Sequence, residues 1–423
     1  MKKSIKTKLA LIVIACIILS IVLGVLIAKA VNSSKPDAYK DMKNVTWLVS
    51  FDEKYEELSV FTNKVGEQRF LGKREVSEDE YVYDILDKEY HKQNTIDGKY
   101  DLNCYPNFPY LVSYDSKGLF KESGVGLMDE DGHILLKPEY EDFTSSTDGF
   151  FAAVKEDKDN QCYSFTFYDI NMNKVGELTN ETYTVSIHDV YSNIGSGLFA
   201  FDIQRDVDDK GVVIYDIKRG EIIKKLKTLS WIKKLSDDIY CGFADTADDI
   251  RVYDPSYQGD EADRDLIFDK DFNFVRVSEI DYSDAQPFSE GLSFASGRNQ
   301  KYKLACIDEN FNIVFETEAS LGSNQFSEGK AILYNEDNFF CVDKSGKQLY
   351  KKERKGDRKN FIYTEAEYKN GKAIVQDDKK FGIVDEKGEW IVDPIFTDIT
   401  YIADDTYIVN SNYLSAAVMR IDR

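Results

Sequence analysis

The chain is poor in the residues that mark several large protein classes. It has only 3 histidines, 3 tryptophans and 7 prolines in 423 residues. So few histidines argue against a His-rich metal site, and so few prolines exclude collagen-like and proline-rich linker architectures. Six cysteines (Cys16, Cys104, Cys162, Cys241, Cys306 and Cys341) are widely spaced and form no CxxC pair. That density is far below a disulfide scaffold, so they read as small buried hydrophobes. Positive charge is also short: 54 Lys and Arg face 76 Asp and Glu, a formal net charge of −22. Phosphate binding needs clustered Lys and Arg, so a nucleic-acid partner is excluded from the expectation. Glycine-rich phosphate loops are missing as well.

What is present starts at the amino terminus. MKKSIKTK carries four lysines, and Leu9 to Ile27 then runs 19 residues without a charge. A helix crossing the ~30 Å hydrocarbon core needs ~20 apolar residues, whereas a cleaved signal has an apolar stretch of ~7–15. The expectation is an uncleaved anchor, with cleavage near Ala28-Lys29-Ala30 as the alternative. A lipoprotein reading at Cys16 is disfavoured by the apolar residues that follow it. Lysines ahead of the helix stay inside. The division expected is a cytoplasmic N-terminus at 1–8, a transmembrane helix at 9–27, a linker at 28–44 and an ectodomain at 45–423 outside the cytoplasm.

The ectodomain repeats. GLMDEDGHILLKPEYEDF (126–143) and GIVDEKGEWIVDPIFTDI (382–399) share one pattern, and five looser hairpins follow it. Their anchor aspartates are Asp129, Asp169, Asp216, Asp269, Asp308, Asp343 and Asp385, at spacings of 40, 47, 53, 39, 35 and 42. An eighth hairpin near the start has Asn63 in the anchor slot. Phrases such as FSEGLSFAS (288–296), FSEGKAILY (326–334) and YKNGKAIVQ (368–376) precede the hairpins. Short segments, apolar spacing near 2 and turn residues between them indicate strands. Asp at the first turn position bonds its own following amides, and Gly132, Gly346 and Gly388 take the left-handed conformation. Where Gly is missing, in Asp169-x-Asn171-x-Asn173 and its relatives at Asp269 and Asp308, Asn is expected to take that role. The proline after the third strand is expected to end pairing. These turn residues are therefore expected to be structural.

The resulting expectation is an all-β, β-propeller-like repeat ectodomain of about eight, or seven, blades of antiparallel strands behind one transmembrane helix. Residues 72–108 read as an acidic, Tyr-rich insertion. An open array of stacked hairpins is the rival architecture.

At these residues the chain resembles the WG-repeat family of bacterial repeat proteins. Phe381-Gly382-Ile383-Val384-Asp385 through Gly388, Trp390, Pro394 and Phe396 carries the resemblance best, and Gly126 through Tyr140 second. Phe381 and Val125 hold the slot of the family's Trp. The resemblance implies a repeat scaffold, often in surface or secreted proteins, and no shared catalytic motif.

No constellation points to chemistry. His133 follows a turn glycine in the slot held by Lys347 and Glu389; His188 and His91 have no evident nucleophile. Calcium loops of the EF-hand type fail, since positions 6 and 12 after Asp269 and Asp308 are Phe274, Ile280, Ile313 and Ala319. No catalytic residue, metal site or cofactor is expected. The expected role is a membrane-anchored, extracytoplasmic scaffold or protein-binding module with a protein partner at the cell surface. A cell-envelope carbohydrate-active enzyme and a sensory ectodomain are the alternatives.

Overall fold

The computed structural model describes residues 39, 42–77, 80–106, 108–114, 124–145, 149–157, 162–180, 191–204, 210–260, 263–278, 280–281, 287–297, 304–319, 325–354, 367–412 and 415–422. The expected transmembrane segment at 9–27 lies outside them. Among the described residues no helix is long and apolar enough to cross a membrane.

Residues 46–422 form a unit of their own, an all-β propeller of nine antiparallel sheets; seven have four strands, and those of blades 7 and 8 have three among the described residues, matching strands 2 to 4 of the others. Blades 1 to 8 span residues 57–97, 101–140, 142–180, 191–227, 229–277, 280–317, 330–353 and 373–396. Blade 9 joins strands Asp398–Ala403, Thr406–Asn412 and Ser415–Ile421 to Val45–Val49 from the other end of the chain. The ring closes because each sheet buries one face on each neighbour. Phe165 of blade 3 meets Phe201 of blade 4 at 4.7 Å between ring centroids. Ile408 and Val418 of blade 9 share a cluster with Leu58 and Phe70 of blade 1. The Thr397 amide, after blade 8, donates to the Asn410 carbonyl at 2.7 Å.

Packing on both faces sets the burial of each strand. Third strands are buried along most of their length: Val125–Met128, Leu304–Asp308 and Lys380–Val384 bury four consecutive residues each. Fourth strands are edges with exposed or alternating side chains, as in Gln348–Glu353. Each apolar side chain so buried contributes about 1.5–3 kcal/mol.

Two expectations are corrected here. The blade number is nine, not eight or seven. Residues 72–108 are not an insertion: Gln68–Ser77, Glu80–Leu86 and Lys92–Asp97 are strands of blade 1, and Asp101–Asn103 opens blade 2. The false insertion comes from one misplaced anchor, and the low blade count from a ninth blade that carries no anchor turn. The Asn63 turn joins the first and second strands of blade 1, whereas the turn equivalent to the other anchors is at Asp87. There the Asp87 amide donates to the His91 carbonyl and the Asp87 carboxylate accepts from the His91 amide at 2.9 Å. The ninth blade has no such turn because its third and fourth strands come from opposite chain ends.

The proline expectation is also corrected. Pro138 and Pro394 lie inside the fourth strands Ile134–Tyr140 and Trp390–Phe396, at register shifts on the edge, and pairing resumes beyond them. An edge strand tolerates the missing amide, and the bulge absorbs two extra residues in each case. The bulge presses against the neighbouring glycine. A Cβ on Gly382 would lie 2.5 Å from the Val392 carbonyl oxygen and 2.8 Å from the Pro394 nitrogen; one on Gly126 would lie 2.7 Å from the Leu136 oxygen and 2.8 Å from the Pro138 nitrogen. The five other hairpins found from the sequence have neither the glycine nor the proline in these two slots.

Candidate functional site: repeat turns and a cleft between blades 4, 5 and 6

In an antiparallel four-stranded blade, the loops joining strands 1–2 and 3–4 emerge at one end and the 2–3 loops at the other. The anchor-aspartate turns and the Phe-Ser-Glu-Gly turns therefore share one face of the ring.

The anchor turns fold alike. Asp129, Asp169, Asp269, Asp308, Asp343 and Asp385 each accept two amides on Oδ1, from the residues two and four positions on, at 2.8–3.1 Å. Asp216 differs: it accepts the Arg219 amide, and Gly220 closes a wider turn onto its carbonyl. The side-chain amide of Asn173, with the backbone amides, holds the Asp169 carboxyl below its usual range; the Asn273 backbone amide leads in doing so for Asp269. Gly132, Gly346 and Gly388 have φ of 88°, 83° and 73°, as expected.

In the glycine-free turns the left-handed residue is not Asn. It is Met172, Phe272 or Phe311, with Tyr90 in the Asp87 turn, at φ of 57–68°. The strain of about 1–2 kcal/mol is offset by packing: Phe272 lies 4.6 Å from the Tyr240 ring, and Tyr90 lies 4.8 Å from Phe70. Asn173, Asn273 and Asn312 come next and donate Nδ2 to the anchor carboxylate at 2.9–3.2 Å. That places a hydrogen-bond donor against the carboxylate on which calcium would have to sit.

The second set of turns links blades to one another. Ser289 donates to the Phe326 carbonyl and Ser327 to the Tyr368 carbonyl, both at 2.7 Å. Glu290 accepts the Gly329 amide at 3.0 Å, and Glu328 the Gly371 amide at 2.9 Å. In the third copy Lys369 and Asn370 replace Ser and Glu, and the contact to blade 9 is instead the Lys372–Asp405 ion pair at 3.0 Å.

Among the described residues, Asp129, Asp131 and His133 form the one group with three ligand atoms within 4.8 Å. Asp131 is exposed, and the Asp129 carboxylate already contacts His133 Nδ1 at 3.2 Å. Cys104, Cys241, Cys306 and Cys341 are buried and in no disulfide among the described residues. Burial pushes the thiols of Cys104 and Cys306 up to about 12 and that of Cys341 to about 11, which removes them from thiolate chemistry.

A cleft of about 830 Å³ opens on the turn face between blades 4, 5 and 6. Ile194, Leu235, Ile239 and Phe288 give it an apolar floor. Lys234 pairs with Asp237 at 2.7 Å, and Lys233 lies over the Trp231 ring at 5.4 Å. Glu290 pairs with Lys344 at 3.1 Å. Asp238 and Glu309 complete the rim. Sequence reading missed this cleft. Its one signal was Leu235-Ser236-Asp237-Asp238, a degenerate copy of Phe288-Ser289-Glu290-Gly291.

Comparison with known proteins gives a family and a set of similar structures. The propeller domain of the Trilobed protease from Pyrococcus furiosus is 12% identical, with a TM-score of 0.39, covering 81% of this chain and 99% of that one. The WD40 domain of Neurospora crassa Pan2 is 11% identical, with a TM-score of 0.32, covering 90% and 99%. An uncharacterised protein from Listeria monocytogenes EGD-e is 13% identical, with a TM-score of 0.35, covering 70% and 94%. No curated protein matches. The WG containing repeat model matches residues 126–158 and 381–414. Each match runs from the third strand of one blade to the second strand of the next, so the sequence repeat is offset by two strands from the blade. The chain thus carries WG containing repeats at two places in its propeller.

Proposed function

We propose that this chain is a non-enzymatic scaffold that binds protein partners, held outside the cytoplasm by a membrane anchor at residues 9–27. One observation carries the scaffold reading. The sheets and turn face repeat, while the opposite face differs from blade to blade. Among the described residues its 2–3 loops range from the two-residue turn Asp378-Lys379 to the stretch after Ala244 that carries helix Ala247–Tyr253. A rigid repeat core with variable loops suits recognition of a broad surface. The net charge of −22 favours a basic partner and repels anionic polymers. The anchor is supported by the lysine flank and the 19-residue apolar run.

The test is affinity capture with residues 33–423 against envelope proteins and wall glycans. A retained protein whose binding weakens as salt rises is the expected result. Turnover of a glycan that one Asp or Glu substitution abolishes would overturn the reading. For topology, protease added to intact, wall-stripped cells should digest the ectodomain; full protection would refute the anchor orientation.

A further inference from the structure

We propose that the cleft between blades 4, 5 and 6 receives a lysine or arginine side chain that a protein partner presents between apolar residues. The inference rests on the protein-binding reading and gives it a site. The chemistry follows from which charges in the cleft are already engaged. Lys234 is neutralised by Asp237, and its ammonium lies so close to Gly195 that a Cβ there would sit 3.0 Å from Nζ. Lys233 is held over Trp231, and Glu290 is taken by Lys344 and the Gly329 amide.

Two carboxylates remain. Asp238 on blade 5 and Glu309 on blade 6 are exposed, and neither has an ion-pair partner among the described residues. They line the same cleft as the apolar residues Ile194, Leu235, Ile239 and Phe288. A long cationic side chain matches that arrangement. Its methylene stem lies along apolar surface while its charge stays at the wet rim between the carboxylates. An anionic group would meet two like charges, and a neutral sugar would leave both acids uncompensated. A volume of about 830 Å³ admits more than one side chain, so the residues flanking the cation contact the floor too.

The probe is a fluorescently labelled Leu-Arg-Leu-Arg-Leu peptide, with a Leu-Glu-Leu-Glu-Leu peptide as its counterpart. Binding to the full-length chain in detergent is followed by anisotropy. The arginine peptide should bind, more weakly as salt rises, and the glutamate peptide should not. The D238N/E309Q double variant should weaken arginine-peptide binding about five- to tenfold, the size expected for two solvent-exposed ion pairs. E353Q, an exposed acid on the blade 7 edge, should leave it unchanged. Both cleft acids are exposed, so folding is unaffected. Equal binding of the two peptides, or an unchanged affinity in D238N/E309Q, overturns the assignment. If an envelope protein is captured equally by the wild type and the double variant, the cleft is wrong and the scaffold reading stands. If the wild type captures none, the scaffold reading fails, and the cleft with it.

Discussion

Replacing Gly382 by alanine tests why the repeat holds a glycine there. Gly382 has no need of a left-handed conformation; it is not among the glycines at positive φ. Its constraint is space. The added Cβ would meet the Val392 oxygen at 2.5 Å, the Trp390 ring at 2.7 Å and the Pro394 nitrogen at 2.8 Å. Two of these are backbone atoms, which cannot rotate aside, so the edge strand must move outward. Overpacking of this kind costs about 1–3 kcal/mol. Each ladder hydrogen bond weakened by the shift adds about 0.5–1.5 kcal/mol. Gly382→Ala should therefore destabilise by about 2–4 kcal/mol. Blade 6 supplies the internal control: Ala305 holds the same slot and faces Ile313–Thr317, a strand with no proline, whose pairing is unshifted from Leu304 to Cys306. Adding Pro394→Thr, the residue found at Thr317, should recover at least ~1 kcal/mol by letting the strand relax. The assay is urea unfolding of residues 33–423, comparing both single variants and the double. A Gly382→Ala cost below about 0.5 kcal/mol, or no coupling to position 394, would refute the argument from close approach.

Other expectations follow from the turns and the core. Gly388→Ala should cost more than Gly329→Ala by urea unfolding: both glycines have positive φ, but only at Gly388 would a Cβ meet a ring, Tyr350 at 2.6 Å; equal costs would remove the ring from the explanation. Glu328→Ala should speed hydrogen exchange at the Gly371 amide and leave Gly329 unchanged, and equal rates in wild type and variant would count against the blade-to-blade bond. Asp169 and Asp269 have folded pKa values below the unfolded value of about 3.9. Their contribution is complete above that value and is lost as pH falls through the lower folded pKa. Their carboxyl carbons should titrate below those of free aspartate by NMR, and titration at or above it would contradict the turn hydrogen bonds. Iodoacetamide should spare Cys104, Cys241, Cys306 and Cys341 in the native protein and label all four in denaturant; a native Cys306–Cys341 bridge by mass spectrometry would refute the blade alignment.

Local features are legible in the order of residues alone. Strand class, the anchor turns and the positive φ of Gly132, Gly346 and Gly388 were legible because a turn is specified within five residues by the hydrogen bonds its own side chains can make. The family likeness was legible for the same reason at residues 126–158 and 381–414. What spans blades was not. Asp87 and Asn63 make the same turn in sequence, and only strand pairing shows which of them lies between third and fourth strands; the ninth blade has no anchor turn, so the anchors number eight. Phe272 and Phe311 occupy the left-handed position against propensity because of rings contributed by other parts of the sheet. Pro394 reads as a strand end until the edge position of its strand and the missing side chain at Gly382 show that the ladder can bulge past it. The cleft joins Ile194, Leu235 and Phe288 from three blades, and its unpaired charge is set by which acids reach Lys234 and Lys344. Such partnerships depend on side chains brought together by ring closure, an event between distant segments that no local pattern encodes.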